Sequence, residues 1–238
     1  MGNLENRNVV VIGGTSGIGL ATAIGARDAG ARVWAVSRSA DKVSACREMY
    51  ENITFDTLDT HDVDGLKSLF AGVGAIDHIV AAATGANRTM APFMEQTDEQ
   101  FREAFNKFWG YTNVARQGVP HLVDGGSLTL VSGTPARKCN PGMSSVSCTG
   151  SAVEGLVRAL ALEIAPKRVN AVAPGLINTG MFDNLGDNKP AALENMGKNI
   201  PLGRVGESDE VAAAVLLTMT NPYITGTTID VDGGVLLP

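Results

Sequence analysis

Four glycines stand where a strand-forming run gives way to a helical pattern. The run is Val9–Ile12, and the glycines are Gly13, Gly14, Gly17 and Gly19. Glycine allows a tight turn and lets a ligand approach the backbone closely. A helix that begins near Gly17 directs free N–H groups and the positive end of its dipole at the turn, which suits a pyrophosphate. The segment predicts a phosphate-binding turn, and a tight turn without a ligand is the alternative.

Hydroxyl groups inside this turn extend the predicted site. Thr15 and Ser16 lie between the glycines, where they could contact the same phosphates. The spacing is Gly-x-x-x-Gly-x-Gly, which differs from the Gly-x-Gly-x-x-Gly of the commonest dinucleotide fingerprint. The turn is predicted to bind its ligand through Gly13, Thr15, Ser16, Gly17, Ile18 and Gly19.

The second predicted strand is followed by a basic residue instead of an acidic one. Sites selective for NAD place an Asp or Glu about 20 residues after the glycines, where it binds the ribose hydroxyls. Here the strand Arg32–Val36 is followed by Ser37 and Arg38. A guanidinium can hold a 2′-phosphate through paired charge-assisted hydrogen bonds, so this strand end favours NADP(H) over NAD(H). The alternative is that Arg38 is a solvated loop charge.

The composition is that of a mildly acidic chain without a targeting signal. The 238 residues include 19 Lys and Arg against 25 Asp and Glu, so the chain lacks the basic surplus that favours nucleic acid or anionic membranes. No signal-peptide core and no membrane-spanning apolar run is present, so we expect a cytoplasmic protein. Cys46, Cys139 and Cys148 are scattered, which predicts neither disulfides nor a metal site.

Strand and helix patterns alternate along the chain without a linker or an internal repeat. Strands are predicted near 8–12, 32–36, 53–57, 77–82, 126–131, 168–172 and 228–231. Helices are predicted near 17–29, 39–49, 62–72, 97–120, 145–165 and 207–219. This alternation is typical of a single α/β domain with a doubly wound parallel sheet, here covering 1–238, whose ligands bind outside the carboxyl ends of the strands.

Two further strand ends carry candidate cofactor contacts. Asp59, after the third predicted strand, could accept a hydrogen bond from an adenine amino group or cap the helix that begins near Asp62. The small residues of the segment Ala81–Gly85 would let a cofactor ribose approach the backbone. Within that segment the candidate contacts are Ala81, Ala82 and Ala83.

Several segments together resemble the short-chain dehydrogenase/reductase family over nearly the whole chain. They are the glycine turn, Asp59, Ala81–Gly85, Ser132, Val169–Thr179 and Asp230–Gly234. The resemblance implies a Rossmann-type seven-stranded parallel sheet with helices on both faces, a nicotinamide cofactor, and a homotetramer or homodimer built on two long helices. It also implies that Ile177 and Thr179 lie near the nicotinamide carboxamide, and that Pro174 and Gly175 lie below the nicotinamide ring.

The proton-transfer residues of that family are missing here. Its members typically carry Tyr-x-x-x-Lys at the start of a long helix, where the lysine lowers the pKa of the tyrosine that acts as general acid. Alignment of Ala152–Glu163 with that helix places Val146 and Gly150 at the two positions. None of the three tyrosines of the chain is followed by lysine four residues later.

Three residues near the altered site are candidates for the remaining chemistry. Ser132 stands where the family's substrate-orienting serine belongs. Lys107 aligns with the family's helical Asn, and it could donate a proton, bind an anionic substrate, or support the ribose region in place of the missing lysine. Arg137, with Lys138 beside it, could bind a carboxylate or phosphate of the substrate, or remain solvated.

The missing acid restricts the reaction. A ketone that accepts hydride becomes an alkoxide, and loss of the general acid typically lowers the reaction rate by a factor of about 10² to 10⁴. An iminium ion that accepts hydride becomes a neutral amine and needs no acid.

The chain also resembles an atypical subgroup of the family that lacks the Tyr/Lys pair and includes imine-reducing and cyclising enzymes. We expect an NADP(H)-dependent oxidoreductase acting on an imine, iminium or activated carbonyl. A non-catalytic NADP(H)-binding sensor or degenerate subunit, and a lyase or cyclase, are the alternatives.

The segment from about 180 to 203 is predicted to be a lid over the substrate. It sets flexible apolar residues among Gly and Asn, namely Met181, Phe182, Leu185, Leu193 and Met196. Such residues favour a bulky apolar small molecule. Packing of this segment on a neighbouring subunit is the alternative.

Overall fold

The architecture is a parallel sheet with helices on both faces. The computed structural model describes residues 3–84 and 89–238. Its strands are β1 (Asn8–Ile12), β2 (Arg32–Ser37), β3 (Ile53–Thr57), β4 (Ile76–Ala81), β5 (Leu122–Val131), β6 (Arg168–Pro174), β7 (Ile177–Asn178), β8 (Gly206–Glu207) and β9 (Thr228–Val231). Seven of them form one sheet in the order β3-β2-β1-β4-β5-β6-β9, and β7 pairs with β8. The chain winds outward in opposite directions from the centre, which defines a doubly wound sheet with a switch point between β1 and β4.

The helices divide between the two faces of this sheet. They are α1 (Gly17–Asp28), α2 (Ala40–Met49), α3 (Val63–Val73), α4 (Asp98–Gly118), α5 (Ser144–Glu163), α6 (Lys189–Gly197) and α7 (Ser208–Thr220). Helices α1, α2 and α7 cover one face, and α3, α4 and α5 cover the other. Val9 and Val11 pack in the first core, whereas Val10 and Ile12 pack in the second. Because both faces are covered, β1 is made of consecutive apolar residues.

The predicted doubly wound parallel sheet is confirmed, and most predicted elements agree to within a few residues. The largest difference in a strand is β5, which begins at Leu122 and not near 126. Gly125, at a φ of +76°, interrupts the strand pattern, and the register against β4 shifts at this point. Glycines in strands often mark such irregularities, so the sequence pattern starts after the backbone pairing does.

The segment from about 180 to 203 is more regular than the sequence predicts. A 3-10 helix over Gly180–Asn188 leads into α6, for which no helix is predicted. Leu193, Ile200 and Val205 form a small core of their own. Among the helices of residues 3–84 and 89–238, none has the length and apolar character needed to cross a bilayer.

Candidate active site

Three glycines of the turn are required by the packing of the chain on itself. A Cβ placed on Gly13, whose φ is +84°, would lie 2.6 Å from the backbone nitrogen of Ala83. A Cβ on Gly14 would lie 2.7 Å from the Cβ of Ala35, and one on Gly19 would collide with the carbonyl oxygen of Gly13. These glycines therefore let the turn pack tightly against β2, the end of β4 and α1.

Gly17 is the glycine whose surroundings suit a ligand. It begins α1 at a φ of +51°, and the nearest atom to a Cβ placed there is Cγ2 of Thr179 at 3.3 Å. Ser16 precedes it as an exposed N-cap whose side chain makes no capping hydrogen bond, while Thr15 is buried and Ile18 half-buried. The first N–H groups of α1 are thus left for an anion. The structure brings the turn and Thr179, two separately predicted contacts, side by side.

The end of β2 presents an exposed cation close to the turn. The N–H groups of Gly13 and Gly14 donate to the carbonyl of Val36 at 2.7 and 3.1 Å, so the turn lies against the last residues of the strand. Ser37 ends β2, and Arg38 follows it at the surface. Within the described part of the chain, the Arg38 side chain has no hydrogen bond or ion pair, and its guanidinium is therefore available to a phosphate.

Asp59 does not cap the helix that follows it. Asp62 is the N-cap of α3, and its carboxylate accepts a hydrogen bond from the N–H of Gly65 at 2.9 Å. The carboxylate of Asp59 instead accepts from the N–H of His61 at 2.9 Å and closes a local turn. The capping alternative for Asp59 is therefore wrong. Its carboxylate is exposed, and the contact with adenine stays a prediction.

Ala82 and Ala83 carry the chain from β4 into the site. The N–H of Ala82 donates to the carbonyl of Ile12 at 2.8 Å, which holds this segment beside the start of the glycine turn. Both alanines are half-buried, whereas Ala81 is fully buried in the strand and packs in the core. A ligand can therefore approach the chain at Ala82 and Ala83 and not at the side chain of Ala81. Gly85 lies outside the described residues.

The predicted contacts for the nicotinamide ring lie at the carboxyl end of β6. Pro174 and Gly175 are half-buried there, and Ile177 is buried in β7. The N–H of Gly175 donates to the carbonyl of Val231 at 2.9 Å, and a Cβ on Gly175 would lie 2.8 Å from Cα of Asp232. This glycine is therefore required by the close approach of the chain that follows β9.

Ser132 lies at the carboxyl end of β5. Its N–H donates to the carbonyl of Val172 at 2.8 Å and holds it beside β6. The residue is 7% exposed, and its hydroxyl donates to Oε1 of Glu154 at 3.2 Å, with the carbonyl of Gly150 at 3.4 Å. Glu154 is not among the site residues that the sequence predicts. An acidic residue one helical turn after the altered position at Gly150 is the signal that could have identified it.

Arg137 is engaged by carboxylates of the protein itself. Its guanidinium makes a bidentate contact with Asp230, with one bond of 2.9 Å, and its Nε lies 3.4 Å from Oε1 of Glu154. The hydrogen bond with Asp230 raises the pKa of Arg137. The alternative of a merely solvated Arg137 is wrong, and any substrate anion would have to share this cation. Lys138 donates to two carbonyl groups within 235–237.

Lys107 and Tyr111 attach α4 to the end of β5. Nζ of Lys107 donates to the carbonyl of Ser132 at 3.2 Å and lies 5.5 Å from the ring centroid of Tyr111. The hydroxyl of Tyr111 donates to the preceding carbonyl, that of Val131, also at 3.2 Å. Asn106 is exposed, so the residue that faces β5 is Lys107. These contacts favour the supporting role of Lys107, and its catalytic role stays a prediction.

Gly150, which the sequence aligns with the family's lysine, packs against the loop that follows β5. Gly150 is buried, and a Cβ placed there would lie 3.0 Å from the Cβ of Ala136. Ala136 belongs to the 3-10 turn Thr134–Ala136, which follows Ser132. Val146 is half-buried in the first turn of α5. A side chain at position 150 would therefore press against this turn, which would have to shift to admit it.

A doubly wound sheet that gathers a glycine turn, an uncapped helix start and an exposed arginine at the carboxyl ends of its strands defines a dinucleotide-binding α/β protein. The family model described as Enoyl-(Acyl carrier protein) reductase matches residues 13–236. The chain belongs to the short-chain dehydrogenase/reductase family of oxidoreductases, which confirms the resemblance found in its sequence.

Similar proteins cover nearly the whole chain. The 3-oxoacyl-[acyl-carrier-protein] reductase of Mus musculus is 35% identical, over 95% of this chain and 97% of the relative. The structure of the MalC Reductase/Diels-Alderase of Malbranchea aurantiaca is 31% identical, with a TM-score of 0.86 over 99% of this chain and 98% of that chain. An NADPH-bound short chain oxidoreductase of Pseudomonas aeruginosa, described as containing an atypical catalytic center, is 28% identical, with a TM-score of 0.88 over 97% of this chain and 98% of that chain.

Proposed function

We propose that the chain is an NADP(H)-dependent oxidoreductase that transfers a hydride to or from an imine, an iminium ion or an activated carbonyl in a bulky apolar molecule. The observation that carries this proposal is the closed acid site. Val146 and Gly150 stand at the two positions of the family's Tyr and Lys, and Ala136 packs against Gly150. None of these three side chains can hold or release a proton at a reacting atom.

The residues around the glycine turn fit an NADP(H) cofactor. The helix start at Ser16 and Gly17 would hold its pyrophosphate, and Arg38 would hold its 2′-phosphate. Ala82, Ala83 and the segment 174–179 would hold the nicotinamide half. The Pseudomonas relative is described as NADPH-bound, which supports the same choice of cofactor here. When bound, this cofactor supplies or takes up a hydride.

The charge of the substrate decides whether an acid is needed. A ketone that takes up a hydride becomes an alkoxide, whose charge must be met by a proton or by fixed donors. An iminium ion that takes up a hydride becomes a neutral amine as the C=N π electrons return to nitrogen. This second reaction asks the protein only to bind and orient the reactants and to exclude water, so it can proceed without the missing acid.

The cofactor assignment is tested by binding. NADPH is expected to bind about tenfold tighter than NADH, because only NADPH carries the phosphate that a guanidinium can grip. Arg38→Ala should remove this difference. Arg32→Ala is the matched control, because Arg32 is an exposed arginine at the other end of β2, where it donates to the carbonyl of Asn6 at 3.2 Å. Titration of nucleotide fluorescence measures both affinities, and equal wild-type affinities would contradict the assignment.

The reaction is tested by following NADPH oxidation with matched cyclic imines and ketones. Turnover of imines well above that of ketones supports the proposal. Tight NADPH binding without turnover of either class would replace it with a sensor or a degenerate subunit. Product formed without NADPH oxidation would replace it with a lyase or cyclase, an outcome of interest because one relative is described as a reductase and Diels-Alderase.

We also propose a homodimer or homotetramer built on the two long helices, α4 and α5. Trp109 on α4 is 56% exposed and Leu162 on α5 is 84% exposed, which gives both helices apolar surface to bury. Light scattering behind size-exclusion chromatography measures the mass directly, and a 24.7 kDa species at working concentration would contradict the proposal.

A further inference from the structure

The single hydroxyl proton of Ser132 is directed at α5. Its two hydrogen-bond partners are Oε1 of Glu154 at 3.2 Å and the carbonyl oxygen of Gly150 at 3.4 Å. A carboxylate oxygen and a carbonyl oxygen both accept hydrogen bonds, and a serine hydroxyl has one proton to donate. The Ser132 hydroxyl can therefore offer a ligand only the acceptor lone pairs of its oxygen.

The surroundings of Glu154 favour this hydrogen bond from the Ser132 hydroxyl. It is 5% exposed within α5, where an unpaired carboxylate would be costly. The Nε of Arg137 lies 3.4 Å from the same Oε1 that faces Ser132, so this oxygen receives two donors. Arg137 is at the same time bound to Asp230, which fixes the guanidinium in place. A hydrogen bond to a charged acceptor in a buried site is stronger than one between neutral groups.

We propose that Glu154 is a positioning residue that fixes Ser132 as a hydrogen-bond acceptor, so that the site selects substrates that present an N–H next to the reacting carbon, such as a protonated imine. This inference rests on the proposed function only in taking the space beside Ser132 as the place of the substrate. It identifies Glu154, acting through Ser132, as the group that lets the site discriminate a protonated imine from a ketone.

The contrast between the two substrates follows from hydrogen-bond polarity. The N–H of a protonated imine donates to the Ser132 oxygen, while the Ser132 hydroxyl continues to donate its proton to the carboxylate of Glu154. The oxygen of a ketone would face an acceptor, and to bind it the hydroxyl would have to leave Glu154, which would then lose a hydrogen bond in a buried position. Lys107 also lies at this strand end, where its ammonium group donates to the backbone carbonyl of Ser132 and not to the hydroxyl.

The test measures binding to the protein–NADP⁺ complex by calorimetry with three bicyclic probes of similar size. They are the 3,4-dihydroisoquinolinium ion, which carries N–H and a positive charge, its N-methyl derivative, which keeps the charge without N–H, and 1-tetralone, which offers only an acceptor. The wild-type complex is expected to bind the first at least about tenfold more tightly than the other two. Ser132→Ala should remove this preference, and Glu154→Leu should weaken it, because the serine proton then keeps only its longer contact with the carbonyl of Gly150.

Glu154→Gln is the conservative control, because its amide oxygen can still accept from Ser132, and it should keep the preference. If Glu154→Leu fails to fold, Ser132→Ala and Glu154→Gln still decide the matter. Equal binding of the dihydroisoquinolinium and N-methyl probes, an unchanged preference in Ser132→Ala, or no saturable binding of the N–H probe would each overturn the inference.

The proposed function can fail separately from this inference. A preference for the N–H probe that depends on Ser132, in a protein that oxidises NADPH with no imine, would overturn the reaction and leave the role of Glu154 standing. Turnover of imines, together with a probe preference that is unchanged in the Ser132 and Glu154 variants, would support the reaction and overturn the role of Glu154.

Discussion

The two halves of the sheet differ in how far other groups of the protein already engage their predicted site residues. The half that carries β1 to β4 keeps a regular cradle, with Gly17 at an open helix start and Arg38 at the end of β2. In the half from β5 onward, Ala136 packs against Gly150, which the sequence aligns with the family's lysine, and Ser132 contacts the buried Glu154. The predicted cofactor contacts lie in both halves, since the segment 174–179 begins at the end of β6, whereas Ser132 and Glu154 both belong to the second half.

The largest effect on stability and NADPH affinity is expected in the glycine turn, at a glycine required by packing. Gly19→Ala places a Cβ against the carbonyl oxygen of Gly13, so the turn must open. We expect NADPH binding to be lost and the free energy of unfolding to fall by about 3 kcal/mol. Urea unfolding and nucleotide titration measure the two effects.

Gly72→Ala is the control for that variant. Gly72 lies in α3, and nothing lies within 4 Å of a Cβ placed there. In a helix this change should stabilise the protein by about 0.5–1 kcal/mol and leave NADPH affinity unchanged. Normal stability and affinity in Gly19→Ala would contradict the packing account of the turn.

The stability of the protein should depend on pH through a histidine at the contact between β4 and β5, where the two halves of the sheet meet. His78 of β4 is buried with its Nδ1 2.9 Å from Oγ of Ser127 of β5, and burial lowers the pKa of His78 to about 4. The unfolded chain binds this proton near the ordinary histidine pKa of about 6.5, so stability from the neutral imidazole is present above that pH and is lost as the pH falls toward 4. The expected loss between pH 7.5 and pH 5 is about 2 kcal/mol.

A histidine comparison tests this assignment. His78→Gln should lower the stability at pH 7.5 and flatten the loss between pH 7.5 and 5, because the titrating group is gone. His61→Gln should leave the pH dependence as it is, since His61 is exposed in the turn before α3. An unchanged pH dependence in His78→Gln would show that other groups cause it.

Restoring the family's acid pair should fail for a steric reason. Val146→Tyr with Gly150→Lys must fit a side chain where a Cβ already lies 3.0 Å from the Cβ of Ala136. We expect a loss of roughly 1–2 kcal/mol in stability and no gain in ketone reduction. Adding Ala136→Gly removes the colliding methyl group, and it should recover most of the stability. A large gain in ketone reduction with Ala136 intact would contradict the closed-site account.

The positions of the glycine turn and of Arg38 are easier to predict from the sequence than the contacts of Ser132 and Gly150, because the two sets depend on different information. The glycine turn and Arg38 are local features whose position follows from the strand before them. The contact of Ser132 with Glu154 joins β5 to α5, and the closure of Gly150 by Ala136 depends on the path of a loop. Neither can be derived from propensity or periodicity, which describe one element at a time.

The smallest effects on stability and NADPH affinity are expected from two carboxylates that follow β3 and are predicted to have different roles. Asp62→Ala removes the N-cap of α3 and should lower stability by about 1 kcal/mol without changing NADPH affinity. Asp59→Ala should change stability by less than about 0.5 kcal/mol, since Asp59 closes only a local turn, and should weaken NADPH binding by a few-fold if its carboxylate binds the adenine. Thermal unfolding and nucleotide titration of the two variants side by side decide it. Equal NADPH affinity in both would remove Asp59 from the cofactor site and leave that site to the turn, Arg38 and the strand ends.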